Sequence, residues 1–344
     1  MKSPLHIVMT PTRNEAWVIR AFLESTTRWA DYIIFADQMS TDGTREIIQN
    51  YMSTSERAKI ILIDNKNPNF NEHERQSMLV QKAREIAEGR DCLLWGLDAD
   101  EILAADTFKT QAWQDILNSK MGSVFSFKWA ELCPLTGKEK NEFRYWLSPT
   151  TSEYYPWLFH DDHKEPHGNY ARNMHSMRIP YPIEEKLLFQ IDDFRVLHLA
   201  YLNPYRVESK RRFYTFVDWE MNHRSPITLS RSYDSQKKKL QKTFPIEKEM
   251  LYSQTKDGFD ILDFVDKEVK QCYMDEYIVQ RLKRHDIRQL RRLDIWDSVF
   301  LQTYNLQDPR SWCDKLVHRY LKLTALHSKN FVVRVIDKVL KKIY

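Results

Sequence analysis

Glycine is scarce in this chain, with 7 in 344 residues. A glycine-rich loop that cradles phosphates with backbone N–H groups is therefore not expected, and the usual signature of P-loop and dinucleotide-binding proteins goes with it. Cysteine is scarce as well. Cys92, Cys133, Cys272 and Cys313 show no Cys-x-x-Cys spacing, which argues against a structural zinc site or a disulfide framework and suits a reducing compartment. No uninterrupted apolar run reaches about 18 residues, so no membrane-spanning helix is expected. The chain enters a strand-like run at once, without a basic start and apolar stretch. This reads as the lack of a secretory leader, and the expected setting is cytoplasmic. The net charge of +4 is mild, and the basic segments carry no recognised motif, so no nucleic-acid partner is expected.

What is present fits a globular protein: 42% hydrophobic and 29% charged residues. Aromatics reach 13%, which suits stacking surfaces for rings or sugars as well as a bulky core. Strand-like and helical patterns alternate about four times over the first hundred residues. The apolar runs Leu5–Met9, Tyr32–Ala36, Lys59–Ile63 and Leu93–Leu97 are each followed by polar residues, with a helical pattern from about Glu72 to Ala87 before the last. Such alternation predicts an α/β layer with a mostly parallel central sheet flanked by helices. In open sheets of this kind ligands bind outside the carboxyl ends of the strands. Asp37, Asp64 and Asp98 follow the second, third and fourth runs, and Asn14 and Glu15 follow the first, so four polar ends are expected to converge on one crevice. The region 121–224 reads as mixed or antiparallel strands with long aromatic-rich loops, and 225–344 as a charged helical extension. The expected divisions are 1–120, 121–224 and 225–344.

The stretch Leu93-Leu94-Trp95-Gly96-Leu97-Asp98-Ala99-Asp100-Glu101 is the most informative. It reads as a buried strand running into two carboxylates spaced i, i+2. On an extended backbone both would share one face, where they repel unless a cation lies between them. Oxygen ligands favour Mg²⁺ or Mn²⁺, with the remaining positions left to phosphates and water. A lone Asp-x-Asp is also a common strand-end turn, so its context has to decide.

That context resembles a family 2 glycosyltransferase with the GT-A (Rossmann-like) fold. Thr10-Pro11-Thr12-Arg13-Asn14-Glu15 resembles the family's first strand-end motif, Asp37-Gln38-Met39-Ser40-Thr41-Asp42-Gly43-Thr44 its Asp-x-Gly-Ser-Thr-Asp-Gly-Thr element, and Asp98-Ala99-Asp100 its metal motif. The resemblance implies that Pro11, Arg13 and Glu15 contact the base and ribose of a nucleotide sugar, that Asp37 and Asp64 sit at the base or ribose, that Arg75 touches donor sugar or phosphate, and that Asp98 and Asp100 hold donor and metal. Gln38 and Met39 depart from the pattern, where many members have Asp and Gly.

Inverting glycosyl transfer needs a carboxylate to take the acceptor's proton. The family places it in the middle third, and the candidates there are Asp161, Asp162 and Glu165. His175 lies where some relatives show Val-His-Glu, but Ser176 replaces the Glu. His198 is a candidate third metal ligand or else a core histidine, and Arg206 and Lys210 would steady pyrophosphate or form a solvated helix face. In the last helix Val332, Val335, Ile336, Val339, Leu340 and Ile343 make an apolar stripe with Arg334, Lys338, Lys341 and Lys342 turned away; it docks on the protein's own core or makes a peripheral membrane contact on the cytoplasmic face. The expected activity is inverting, metal-dependent transfer of a sugar from a nucleoside diphosphate, UDP favoured, to a glycan or lipid-linked acceptor in cell-surface polysaccharide or lipopolysaccharide synthesis. The competing readings are a non-catalytic nucleotide-sugar-binding protein and a nucleotidyltransferase; the lack of Gly in Thr10–Glu15 counts against the second.

Overall fold

The four apolar runs become four parallel strands: β1 (Leu5–Thr12), β2 (Tyr32–Asp37), β3 (Lys59–Asp64) and β4 (Cys92–Gly96). They lie side by side in the order β3-β2-β1-β4. The computed structural model describes residues 3–69, 71–134, 143–147, 154–164, 166, 176–181, 187–234, 243–252, 260–270, 272–282, 284 and 287–344. The chain divides into two compact units, Met1–Leu202 with Thr243–Lys267, and Asn203–Lys242 with Glu268–Tyr344.

In the first unit the crossovers are α1 (Ile19–Thr26), α2 (Thr44–Thr54) and α3 (Glu72–Ala87). The last forms because Asn71 caps it, accepting from the Glu74 N–H at 3.1 Å, and because Glu72 and Glu74 face the positive end of its dipole. Its buried face, Gln76, Leu79, Val80, Ala83 and Ala87, follows the helical repeat and packs with Ile7, Met9, Ile34 and Leu94 of the strands. All five residues of β4 are buried, as befits a strand covered on both faces.

After β4 come β5 (Glu101–Leu103), α4 (Gln111–Leu117), β6 (Val124–Pro134), β7 (Phe143–Leu147), β8 (Tyr155–His160), β9 (Leu188–His198) and β10 (Phe244–Pro245). They extend the sheet to β10-β7-β6-β8-β4-β1-β2-β3, with β9 beside β5 and β6. This half is mixed: β8 runs antiparallel to β4 and β6, while β9 runs parallel to β6. The α/β class holds, with the all-parallel layer made by β1–β4.

The second unit is helical: α5 (Pro204–Asn222), α6 (Pro226–Tyr233), α7 (Tyr273–Leu282), α8 (Ile287–Leu290), α9 (Ser298–Thr303), α10 (Trp312–Leu323) and α11 (Phe331–Ile343). Arg212 of α5 anchors it, fully buried, gripping both oxygens of Asp275 at 2.8 and 2.6 Å and Asp297 at 2.6 Å. Among the described residues no helix is long and apolar enough to cross a membrane.

Candidate active site

The strand register lines up the polar ends. Thr12 pairs with Asp37, and Asp37 with Asp64, so three carboxyl ends form one row. The strand order turns back between β1 and β4, which opens a crevice at that point in sheets of this type. The loops after β1 and β2 lock together there. The Asn14 N–H donates to Ser40 Oγ at 2.8 Å, the Thr41 N–H to Asn14 Oδ1 at 2.8 Å and the Glu15 N–H to Thr44 Oγ1 at 2.8 Å. The Asp37 carboxylate is fully buried and accepts from Thr12, from Ser40 and, at 2.9 Å, from Arg45, whose same nitrogen reaches Asp64 at 2.9 Å. Asp64 stays more than half exposed. Pro11 is buried at the end of β1, Glu15 accepts from Trp17 Nε1 at 2.7 Å, and Arg13 reaches the Pro68 carbonyl at 3.4 Å.

The two departures from the family pattern have local explanations. Met39 has φ +54°, the left-handed region that glycine adopts without strain. Gln38 is buried and donates to the carbonyls of Asn67 and Asn69 at 2.7 and 2.8 Å. Its amide is spent on the loop after β3.

The fourth strand was expected to run to Asp98; it ends at Gly96, and Asp98 and Asp100 stand in a turn. The extended-strand argument for a shared face therefore does not apply, and the two carboxylates meet different partners. Asp98 pairs with Arg178, which also holds Glu101. Glu101 is fully buried and accepts in addition from Trp129 Nε1 at 2.8 Å, Trp157 Nε1 at 3.1 Å and the Asp98 N–H at 3.0 Å. Burial works against the Arg178 charge, but Asp98 and Glu101 outweigh it and hold the guanidinium protonated well above the ordinary range. With two carboxylates on one guanidinium the cluster is one negative charge in excess. Burial, then the neighbouring Glu101 and Asp100, raise the Asp98 carboxyl against the pull of Arg178. Arg75 also draws Asp98 toward its ionised form, so it lies within electrostatic range of this turn. Gly96 makes the arrangement possible, because a Cβ there would sit 2.7 Å from the Arg178 Cβ.

Asp100 faces His198. Its Oδ2 lies 3.3 Å from His198 Nε2, and the other ring nitrogen meets Glu131 at 2.6 Å. The ring stacks on Trp129 at 5.5 Å. Burial lowers the imidazole pKa, but Glu131 and Asp100 overcome it and bring it up to about 10. A divalent cation at Nε2 would displace the proton held there, and an imidazole oriented by a carboxylate at Nδ1, with Asp100 beside Nε2, is a donor set that suits such an ion. Asp100 and His198 fit such an ion; Asp98, in this arrangement, is taken by Arg178.

The structure does not bring Asp161 or Asp162 to this edge. β8 is antiparallel to β4, with Leu93 opposite His160, so Asp161 lies at the amino end of β4. That is the length of the strand, about 13 Å, from Gly96. Asp161 is fully buried and gripped by Arg84 at 2.7 and 3.0 Å. It also forms a cluster with Cys92 and His163 whose donor atoms lie within 4.8 Å of one another. The Cys92 thiol there is pushed up to about 12 by burial and by Asp161 and Asp91, and Arg84 already supplies the cation. Asp162 accepts from the Lys164 N–H at 2.9 Å. Glu165 and His175 lie outside the described residues. Arg206 and Lys210 belong to α5 of the second unit, where Arg206 is buried and in electrostatic range of Cys272. Sequence reasoning passed over Glu101, Glu131 and Arg178. Glu101 carried a signal, a charge at the mouth of an apolar strand; the other two carried none.

Residues 7–169 match the family described as glycosyl transferase family 2. No curated protein sequence matches the chain. Among solved structures, a mannosyltransferase from Pyrobaculum calidifontis, in complex with GDP-Man and Mn²⁺, is 14% identical with a TM-score of 0.40, covering 62% of this chain and 62% of its own. This chain thus spans less than two thirds of that relative. The glucosyl-3-phosphoglycerate synthase of Mycobacterium tuberculosis, in complex with Mn²⁺, UDP and glucosyl-3-phosphoglycerate, is 16% identical over 37% of this chain and 44% of its own, TM-score 0.25. The inositol-1-phosphate CTP transferase from T. maritima is 7% identical over 57% and 89%, TM-score 0.35. Likenesses at this level say nothing of substrate.

Proposed function

We propose, from the match of residues 7–169 to glycosyl transferase family 2, that the chain is a nucleotide-sugar glycosyltransferase and moves a sugar from a nucleoside-diphosphate donor, UDP favoured, to a hydroxyl of a glycan or lipid-linked acceptor with inversion at the anomeric carbon. The reaction takes place in the crevice over the carboxyl ends of β1 to β4. The nucleoside lies toward the row of Thr12, Asp37 and Asp64, where Asp64 is the open carboxylate and Asp37 holds the loop. The diphosphate lies toward the turn at Asp98–Asp100, within reach of Arg75.

The observation that supports this reading best is the chain Asp100–His198–Glu131 beside that turn. A divalent cation, Mn²⁺ or Mg²⁺, would be held by Asp100 and His198, and when bound would neutralise charge on the departing diphosphate. Glu131 fixes the ring so that Nε2 is turned to Asp100. Arg178 keeps Asp98 and the backbone of the turn in place through Glu101. Asp161 and Asp162, at the far edge, hold the structure around Arg84, and Glu165 is the remaining candidate to take the acceptor's proton. Synthesis of a cell-surface glycan is the setting that suits this chemistry.

The test is a panel of nucleotide sugars and acceptors assayed with Mn²⁺, with Mg²⁺ and after chelation, the anomeric configuration of the product being read by NMR. Turnover should vanish on chelation and return with metal. Asp100→Ala should lower it about a hundredfold or more. Retained configuration, or full activity in Asp100→Ala, would refute the reading.

A further inference from the structure

Seventeen large hydrophobic side chains are exposed among the described residues, and ten of them lie between Trp312 and Ile343. The concentration is too strong for scattered surface residues. On α11, Phe331, Val332, Val335, Ile336, Val339 and Ile343 fall within one arc of the 3.6-residue repeat, and they are between 40% and 80% exposed. The side that docks is a different one. Val333 and Asp337 are buried, and Asp337 accepts from Arg231 of α6 at 2.8 and 2.9 Å and from the Tyr320 hydroxyl at 3.0 Å. Apart from the half-buried Leu340, the apolar stripe faces solvent. α10 repeats the arrangement, with Asp314, His318 and Leu321 buried while Trp312, Leu316 and Leu323 are exposed.

The charges point the same way. Arg334, Lys338 and Lys341 occupy the arc next to the exposed stripe, Lys342 falls at the stripe's border, and all four are exposed. The acidic residues from Trp312 onward are Asp314 and Asp337 alone, and both are buried and paired with arginines, Asp314 with Arg291 and Asp337 with Arg231. Every exposed Asp, Glu, Lys or Arg in this segment is therefore positive.

We propose that the exposed face of α10 and α11 lies on an anionic lipid bilayer. The apolar arc enters the boundary between head groups and acyl chains, and the lysine stems carry their ammonium groups up to the phosphates. At about 20 Å, α11 is too short to span a bilayer and long enough to lie in its plane. A second copy of the chain is a poorer occupant, because an isologous interface would set these unopposed lysines against one another. The contact involves the second unit alone and is read without reference to sugar transfer, so the two stand or fall separately.

The test is co-sedimentation of the full chain with phosphatidylcholine vesicles and with vesicles that also contain phosphatidylglycerol. Binding to the anionic vesicles should be at least about tenfold tighter and should weaken as salt is raised. Lys341→Gln with Lys342→Gln should loosen it about 25-fold, near fivefold per charge. Val335→Asp with Val339→Asp should abolish it with little change in the urea midpoint, since about half of each side chain is already exposed. No binding to anionic vesicles, or equal binding to both kinds, overturns the proposal. So does wild-type self-association in the ultracentrifuge that the valine variant abolishes while vesicles go unbound.

Discussion

A buried histidine stands near each edge of the parallel layer, and the two are tuned in opposite directions. At the amino edge, His6 stacks on Trp113 at 5.0 Å and accepts from Trp95 Nε1 at 3.2 Å. Burial pushes its pKa down to about 4, with only partial relief from Asp31. At the carboxyl edge, His198 is as deeply placed, yet Glu131 and Asp100 bring it up to about 10. Burial alone does not decide a histidine's charge; what decides it is whether a carboxylate was buried with it. Around His6 the amino edge is packed with the aromatic rings of Trp29, Trp95 and Trp113. The other edge keeps Asp98, Asp100, Glu101, Glu131, Arg178 and His198 together, which suits binding of a charged ligand.

Removing the cation from the charged edge should have the largest effect on the fold. Arg178→Met leaves the fully buried Glu101 without its guanidinium and should cost about 3–5 kcal/mol in urea unfolding. A loss near 1 kcal/mol would mean that the two tryptophans satisfy Glu101 without help. The amino edge should answer to acid. The folded pKa of His6 is below the ordinary 6.5, so the unfolded chain binds the proton more tightly. Its contribution is intact above pH 6.5 and falls as pH drops through about 4, by up to about 3 kcal/mol. Wild type should therefore lose that much more stability between pH 7 and 4 than His6→Gln; parallel profiles would show that His6 is not held neutral. The smallest effect, at the charged edge again, is on Glu131→Gln. It keeps the hydrogen bond but not the charge and should weaken Mn²⁺ binding about 10–100-fold by calorimetry with little change in fold. Unchanged affinity would detach His198 from the cation.

The parallel layer was legible because its signals are local. The apolar run Lys59–Ile63 and the capped, periodic stretch Glu72–Ala87 gave β3 and α3 nearly residue for residue. The end of β4 was misjudged because Leu97 continues the apolar run past the point where pairing stops, and apolar periodicity does not report a turn. Asp161 drew attention for its acidic, aromatic neighbourhood, but position in sequence does not say which way a strand runs, and an antiparallel β8 carries its last residues to the far edge. Arg178 and Glu131 were out of reach for another reason. Each acts through a partner 67 or more residues away, Glu131 through His198 and Arg178 through Glu101, and a single charged residue carries no periodicity to mark it.

Gly96 closes the last strand before the turn, with the Arg178 backbone laid directly against it. Most positions in a sheet are chosen for what they fill; this one is chosen for being empty. The vacancy lets two stretches of chain, more than eighty positions apart, be cast as one piece, so that the anchoring guanidinium reaches its carboxylates from a backbone that has no slack left to give.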